Sequence, residues 1–488
     1  MTTPDLTPVL VGIGTATRRE EDFERALEPM DLMLEAVAAA GRDTGSAAAL
    51  AGAQYIAVPR GRWTYRNPAG EIARAVGAKA ATTVLASVGV LQQTLVGEAC
   101  ARIARGEAHT TLITGADAGY RLLRAQIAGR PAPERVQEDE PDIYLAPKDE
   151  LRHPAEKRAG LNMPVGIYAM MESAFRASQG WTVDEHRDRL AALGERFSQI
   201  AVNNPHAWNR KLMSAAFIRE GSERNPMQAF PYTRAHCSTW NVDQACALLF
   251  TSAERAQALG IPRSQWVFPL ASSESNHMVA MATRPDLAAC PGASIAGQAA
   301  LQAAGLQAQD LDLVELYSCF PLAVQVYARA VGLSLERDLT VTGGMAFAGG
   351  PYNNYQLQAI CRAAELMRAG QGRTAMVTGV SGVLTKQGFG LWGMDAAPGG
   401  FKSIDVSDEV ARQSQPVTVL ENYSGPAQVA GYTVLHGRGK QPRAVALVDT
   451  PQGARAMVTS EDAGLIDRMQ IEEFVGHTLQ VQDNILLG

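Results

Sequence analysis

ACARIARGEAHTTLITG, from Ala99 to Gly115, and AAELMRAGQGRTAMVTG, from Ala363 to Gly379, are one pattern written twice. Each is a helix-like run closed by glycine and followed by a strand that ends in Thr-Gly. Gly115 and Gly379 stand 264 residues apart, as do Gly41, closing EAVAAAG, and Gly305, closing AALQAAG. Self-similarity at so long a period means a duplicated α/β unit rather than a short-repeat solenoid. Such a duplication sets equivalent loops on either side of a pseudo-dyad, where a site is expected.

Working outward, VLVGIG (Val9 to Gly14) and AQYIAV read as buried strands, and the segment from about Ala26 to Ala40 has the helical spacing of Met30, Met33, Leu34 and Val37. A second helix opening near Gly89 carries Leu91, Leu95, Cys100 and Ile103 on its apolar face. Alternating strands and helices predict a mainly parallel sheet covered by helices. The resulting division is 1–117 for the first half, 118–265 for an inserted loop subdomain, 266–400 for the second half and 401–488 for a small β-barrel. The insertion is predicted to hold helices around Pro164 to Gln179 and from Thr182, where Glu185 completes a capping box. The barrel is read from the short strands VTVLENY, GYTVLH, AVALVDT and ARAMVTS.

Composition narrows the function. With 488 residues, 19% charged side chains and a net charge of −6, the chain shows no Lys/Arg cluster of the kind that binds nucleic acid by releasing counterions. The six cysteines form no CxxC pair and have no histidine at metal-ligand spacing, so they read as free thiols in a reducing compartment. No stretch approaches the roughly 18 apolar residues of a membrane helix. A cytoplasmic location is expected.

Five strings in order carry a resemblance: VLASVG with ARIARGEA, VDQACALLFTS, VELYSCF, GGMAFAGGPYNNY and TGVSGVLTKQGFGLWG. Together they resemble the thiolase superfamily, closest to the sterol carrier protein X-like branch called thiolase-like protein type 1. The resemblance covers about Val9 to Gly400. It implies a duplicated five-layered αβαβα thiolase fold, with acyl-CoA as substrate and no tightly bound cofactor. It leaves open a monomer or a homodimer. The final domain resembles a small OB-like barrel.

The family's nucleophilic cysteine, activating histidine and second cysteine fall on Ala86, Gly350 and Val380 of this chain. Ala86 and Gly350 are again 264 residues apart. Where the family holds its oxyanion-hole residue this chain has Tyr317. The remaining candidates are Tyr317, as hydrogen-bond donor or weak acid, or else a packed phenol; Ser87, as a helix cap or a replacement nucleophile; and Asn353, with Asn354, Tyr352 and Tyr355, as ligand-orienting or capping groups. Cys319 aligns with a non-nucleophilic position and is expected to pack. His236 beside Cys237 invites a dyad reading, which fails if neighbours on a strand face opposite ways. GVSGVLTKQGFG lacks the GxxxxGK[ST] spacing of a nucleotide loop; its glycines, Gly382 among them, suit a close approach of the halves.

Three functions follow from this reading. The first is an acyltransferase-like protein that binds acyl-CoA without the Cys/His/Cys set and uses backbone N–H groups near Ala86 and Gly382. The second is a retro-aldolase acting on β-hydroxyacyl-CoA through Tyr317 or Tyr352. The third is a non-catalytic acyl-CoA-binding scaffold.

Overall fold

The structure, a computed structural model, describes residues 5–147 and 151–487. Its strands in chain order are β1 (Pro8–Thr17), β2 (Tyr55–Pro59), β3 (Thr82–Ala86), β4 (Thr110–Ala118), β5 (Ile143–Leu145), β6 (Met227–Ala229), β7 (Tyr232–Thr233) and β8 (Asp243–Ser252). They continue with β9 (Phe268–Ser275), β10 (Leu313–Glu315), β11 (Thr374–Ser381), β12 (Lys386–Gly393) and β13 (Lys402–Asp405). The last are β14 (Val419–Leu420), β15 (Gly425–Gly437), β16 (Lys440–Asp449), β17 (Arg455–Ser460), β18 (Thr478–Gln482) and β19 (Ile485–Leu486).

Two sheets carry the duplication. The first runs β1-β8-β4-β2-β3-β5 and the second β10-β11-β12-β9-β13, so β9-β12-β11-β10 repeats the order β1-β8-β4-β2. The helices Gln92–Ala104 and Tyr355–Arg368 lie between the sheets, while Pro29–Asp43 covers the outer face of the first and Pro291–Ala304 that of the second. These are five layers of the thiolase type.

The two buried helices meet across the pseudo-dyad at equivalent residues. Gln92 Oε1 accepts the backbone N–H of Gln356 at 2.9 Å, across a separation of 264 residues, and that of Leu357 at 3.3 Å. Gln356 and Leu357 lie in the first turn of their helix, whose N–H groups have no intrahelical partner, so one copy caps the other.

The sheets are more mixed than the strand-helix alternation predicts. β8 is antiparallel to β1 and β4, and β12 to β11 and β9. For β12 the reason is connection length: only Gly382 to Thr385 separate β11 from β12, and a parallel pair needs a crossover of about a dozen residues.

The boundaries 118–265 and 401–488 also need correction. β5 and β8 fall inside the span read as insertion, yet both are strands of the first sheet. All ten residues of β8 are buried, which requires a neighbour on each side. β13 pairs in parallel with β9, so the second half continues beyond Gly400. β15, β16, β17, β19 and β18 close into a five-stranded barrel, which β6 of the insertion extends. Buried Arg176 of the predicted helix Pro164–Ser178 locks the barrel to the body, bonding Tyr432 Oη at 2.8 Å and Glu473 at 2.9 Å. The capping box at Thr182 and Glu185 is present.

Asp243, first residue of β8, accepts the N–H groups of Tyr120 (2.8 Å) and Arg121 (3.0 Å) and so caps the helix Gly119–Ile127. Burial pushes its carboxyl up to about 7, against the pull of those two bonds. A folded value raised above the unfolded one favours the protonated form. Its stabilisation is therefore full below about pH 4 and is lost as pH rises towards 7. Asp243→Asn keeps an acceptor without the charge. Thermal unfolding of the variant is expected to match wild type near pH 4 and to exceed it by on the order of 2–4 kcal/mol above pH 7.5.

Candidate active site

Of the three positions that the resemblance marks as vacated, two lie at the ends of strands and one on a loop. Ala86 closes β3, fully buried between Pro59 and Leu145 of the flanking strands. Gly350 sits in the loop before the helix Tyr355–Arg368 and donates its N–H to Thr239 O at 2.8 Å. Val380 is near the end of β11.

Tyr317, Met345 and Tyr355 form an apolar cluster with Cys319 and Val380 packed against it. A Cβ on Gly350 would lie 3.0 Å from Met345 Cε and 3.4 Å from Ser238 Cβ. Met345 thus fills the space beside the position where the family carries imidazole. Tyr317, Val380 and Gly350 converge on this one side chain. Nothing in the sequence pattern singled out Met345, which reads there as one more apolar residue among glycines.

Tyr317 donates its backbone N–H to Thr378 Oγ1 at 2.8 Å and sets its ring edge-on to Tyr355, 5.8 Å between centroids. Its own hydroxyl has no hydrogen-bond partner among the described residues, and burial raises its pKa, so it stays a neutral phenol. Tyr355 differs: its hydroxyl is bonded to Glu315 and, at 2.7 Å, to Thr342 Oγ1. Tyr352 turns to the surface, 38% exposed, with its ring 5.7 Å from the Arg62 guanidinium. Of the three tyrosines, Tyr317 alone is a buried phenol with no hydrogen-bond partner among the described residues.

Ser87 does not cap. The helix Gln92–Ala104 has Leu91 at its N-cap, too far along the chain, and among the described residues the Ser87 hydroxyl has one hydrogen-bond contact, Val88 O at 3.5 Å. The Ser87 N–H is bonded to Leu145 O at 2.8 Å, which takes one backbone donor near Ala86 out of any oxyanion hole. Asn353 has a buried Nδ2 with no partner, while Asn354 occupies the N-cap position of its helix without a side-chain cap bond. Gln92 does the capping instead.

Cys319 is not an activated thiol. Burial pushes it up to about 12, and its side-chain partner is the hydroxyl of Tyr168, which comes from the insertion. Cys237 is likewise pushed up to about 12 by burial. His236 lies on a short 3-10 turn rather than a strand, and its Nδ1 sits 2.9 Å from Thr233 Oγ1, so the dyad fails for a different reason than strand alternation. Burial holds His236 neutral, at about 3.

The turn between β11 and β12 joins the halves. Lys386 Nζ donates to Gly89 O at 2.9 Å, tying the loop after Ala86 to the second sheet. Gly382, Val383 and Leu384 follow one another in the left-handed region, at φ 66°, 61° and 58°. For Val and Leu this costs roughly 1–2 kcal/mol each. The carbonyls of these three residues are held: Gly382 O by Thr385 Oγ1 at 2.7 Å, Val383 O by Arg284, and Leu384 O by Gln387 Nε2 at 2.8 Å.

This fold and these loops define a thiolase-fold protein whose marked positions carry no nucleophile, imidazole or second thiol. Within that class the chain resembles the sterol carrier protein 2 (SCP2)-thiolase-like proteins. The monomeric SCP2-thiolase-like protein type 1 from Mycobacterium smegmatis superposes with a TM-score of 0.82 at 25% identity, covering 100% of each chain. The Ltp2-ChsH2(DUF35) aldolase (TM-score 0.59, 18% identity, 80% of this chain and 99% of that one) and the acetyl-CoA acetyltransferase of Syntrophomonas wolfei (0.55, 20%, 80% and 100%) share the fold. In sequence, 156 residues are 24% identical to the acetyl-CoA acetyltransferase of Methanocaldococcus jannaschii, spanning 32% of this chain and 37% of that relative. No family model matches the sequence. No helix of the described residues is long and apolar enough to cross a membrane.

Proposed function

We propose that the protein binds an acyl-CoA thioester beside Tyr317 and acts on it without an acyl-enzyme. The observation that carries this reading is the unpartnered Tyr317 hydroxyl among Met345, Val380 and Cys319. A buried neutral phenol donates to a carbonyl oxygen, and the bond strengthens as negative charge builds there. The unpaired amide of Asn353 offers a second donor. With no group to accept an acyl chain, any acyl transfer is direct.

A second reading, retro-aldol cleavage of a β-hydroxyacyl-CoA, is favoured by the same lone phenol, because that reaction needs no protein nucleophile. The Cα–Cβ bond breaks, the β-hydroxyl becomes a carbonyl, and its electrons pass to an enolate. Tyr317 gives its proton to Cα and recovers one from the β-hydroxyl, ending as it began. Calorimetry with acetyl-CoA and acetoacetyl-CoA tests the shared premise. Binding at micromolar to millimolar concentration is expected, and no binding of either at millimolar concentration sinks it. Product analysis with a 3-hydroxyacyl-CoA then separates the two reactions.

A further inference from the structure

The turn that carries Val380 into the Tyr317 cluster sends Leu384, Thr385 and Gln387 into the wall of a second space, a cavity of about 120 Å³. Most of its wall is apolar, with Val279, Ala289, Leu384 and Val410 facing it. Polar side chains interrupt that wall, Asp286, Thr385, Gln413 and Ser414 among them, and three others are incompletely bonded. Gln387 is 2% exposed and its Oε1 has no partner, although its Nε2 is committed to Leu384 O. His277 Nε2 is buried and also unpaired. Arg284, 8% exposed, bonds Val279 O at 3.3 Å, Met171 Sδ at 3.1 Å and Val383 O. A guanidinium has five N–H donors, so Arg284 keeps some to spare.

The polar end therefore asks for a group that donates to Gln387 Oε1 and accepts from Arg284. A hydroxyl does both with one atom. A carboxylate would face Gln387 Oε1 without a proton to offer, and a hydrocarbon would leave both groups unsatisfied, at about 1–3 kcal/mol each. At about 120 Å³ the whole cavity approaches the roughly 150 Å³ that holds a six-carbon ring.

We propose that this cavity binds a hydroxyl-bearing aliphatic group of about six carbons, its hydroxyl between Gln387 and Arg284. The inference stands apart from the reading of Tyr317. Such a hydroxyl comes either from a free alcohol or from the far end of a hydroxyacyl thioester.

Cyclohexanol and cyclohexane serve as probes, read by saturation-transfer NMR and by thermal shift on the full chain. Cyclohexanol is expected to bind about tenfold or more tightly than cyclohexane, the worth of a hydrogen bond to these groups. Ala289→Leu, at a half-buried wall position, is expected to block both probes, and Gln387→Leu to erase the preference for the alcohol. If Gln387→Leu does not fold, the Ala289 variant and the probe pair still decide. Equal binding of the two probes, binding of neither, or binding undiminished in Ala289→Leu overturns the proposal. Displacement of cyclohexanol by 6-hydroxyhexanoyl-CoA assigns the cavity to substrate, and its absence alongside alcohol binding assigns it to a free alcohol.

Discussion

Tyr317→Phe is expected to cut turnover of a 3-hydroxyacyl-CoA by about 10²–10⁴-fold, the usual contribution of a positioned proton donor. That corresponds to about 3–5 kcal/mol of transition-state stabilisation. Because the Tyr317 hydroxyl bonds no described protein group, its removal leaves nothing in the fold unsatisfied. Unfolding of the variant should therefore match wild type, and acetyl-CoA affinity should change by no more than about the worth of one hydrogen bond. A kcat that falls with a steady Kd and melting temperature places the phenol on the reaction path. Unchanged turnover removes it.

Glu315→Ala is expected to have the largest effect on stability. Glu315, fully buried at the end of β10, accepts bonds from Val341 N at 2.8 Å, Thr342 N at 3.0 Å, Thr340 Oγ1 at 2.9 Å, Thr342 Oγ1 at 3.2 Å and the Tyr355 hydroxyl. Burial raises its pKa and these bonds oppose the rise. Alanine leaves several buried donors without an acceptor, at about 1–3 kcal/mol each, so a loss of about 3–5 kcal/mol is expected in denaturant unfolding. The segment it clamps leads directly into Met345, and Tyr355 packs on Tyr317. The alanine variant should therefore also lose thioester binding, whereas Glu315→Gln, which keeps one acceptor oxygen, should lose much less stability. A melting curve like wild type for the alanine variant contradicts the clamp.

Much of the fold was legible because it rests on periodicity. The twin helices Gln92–Ala104 and Tyr355–Arg368 and the strands after them repeat apolar spacing at a constant offset, and that spacing encodes one buried face. The insertion's two long helices announced themselves by Pro164 at a helix start and by the Thr182/Glu185 box. What pattern alone mislaid were strands whose partners lie far along the chain. DQACALLFTS has the texture of a buried strand, but whether it serves the insertion or the first sheet depends on a pairing with β1 and β4 more than a hundred residues upstream. β13, β18 and β19 are short, and polar residues hide the first two.

The site divides in the same way. That Ala86, Gly350 and Val380 fall where the resemblance expects cysteine, histidine and cysteine is a reading of residue identity at positions the motifs mark. Side-chain partners are another kind of fact. Ser87 stands near a helix start and reads as a cap, yet the helix opens four residues later and Gln92 caps the other copy.

The sequence by itself determined the duplication, because that follows from spacing, and its resemblance to the thiolase superfamily implied the five layers and marked Ala86, Gly350 and Val380 as the positions to inspect. Only the tertiary structure decided that Tyr317 is unpaired while Tyr355 is bonded to Glu315, that Met345 fills the space beside Gly350, and that Cys319 lies against Tyr168 as an inert thiol. The physical reason is that burial and hydrogen-bond pairing are properties of neighbours in space. Those neighbours come from both halves and the insertion, and no local pattern records which of them will meet.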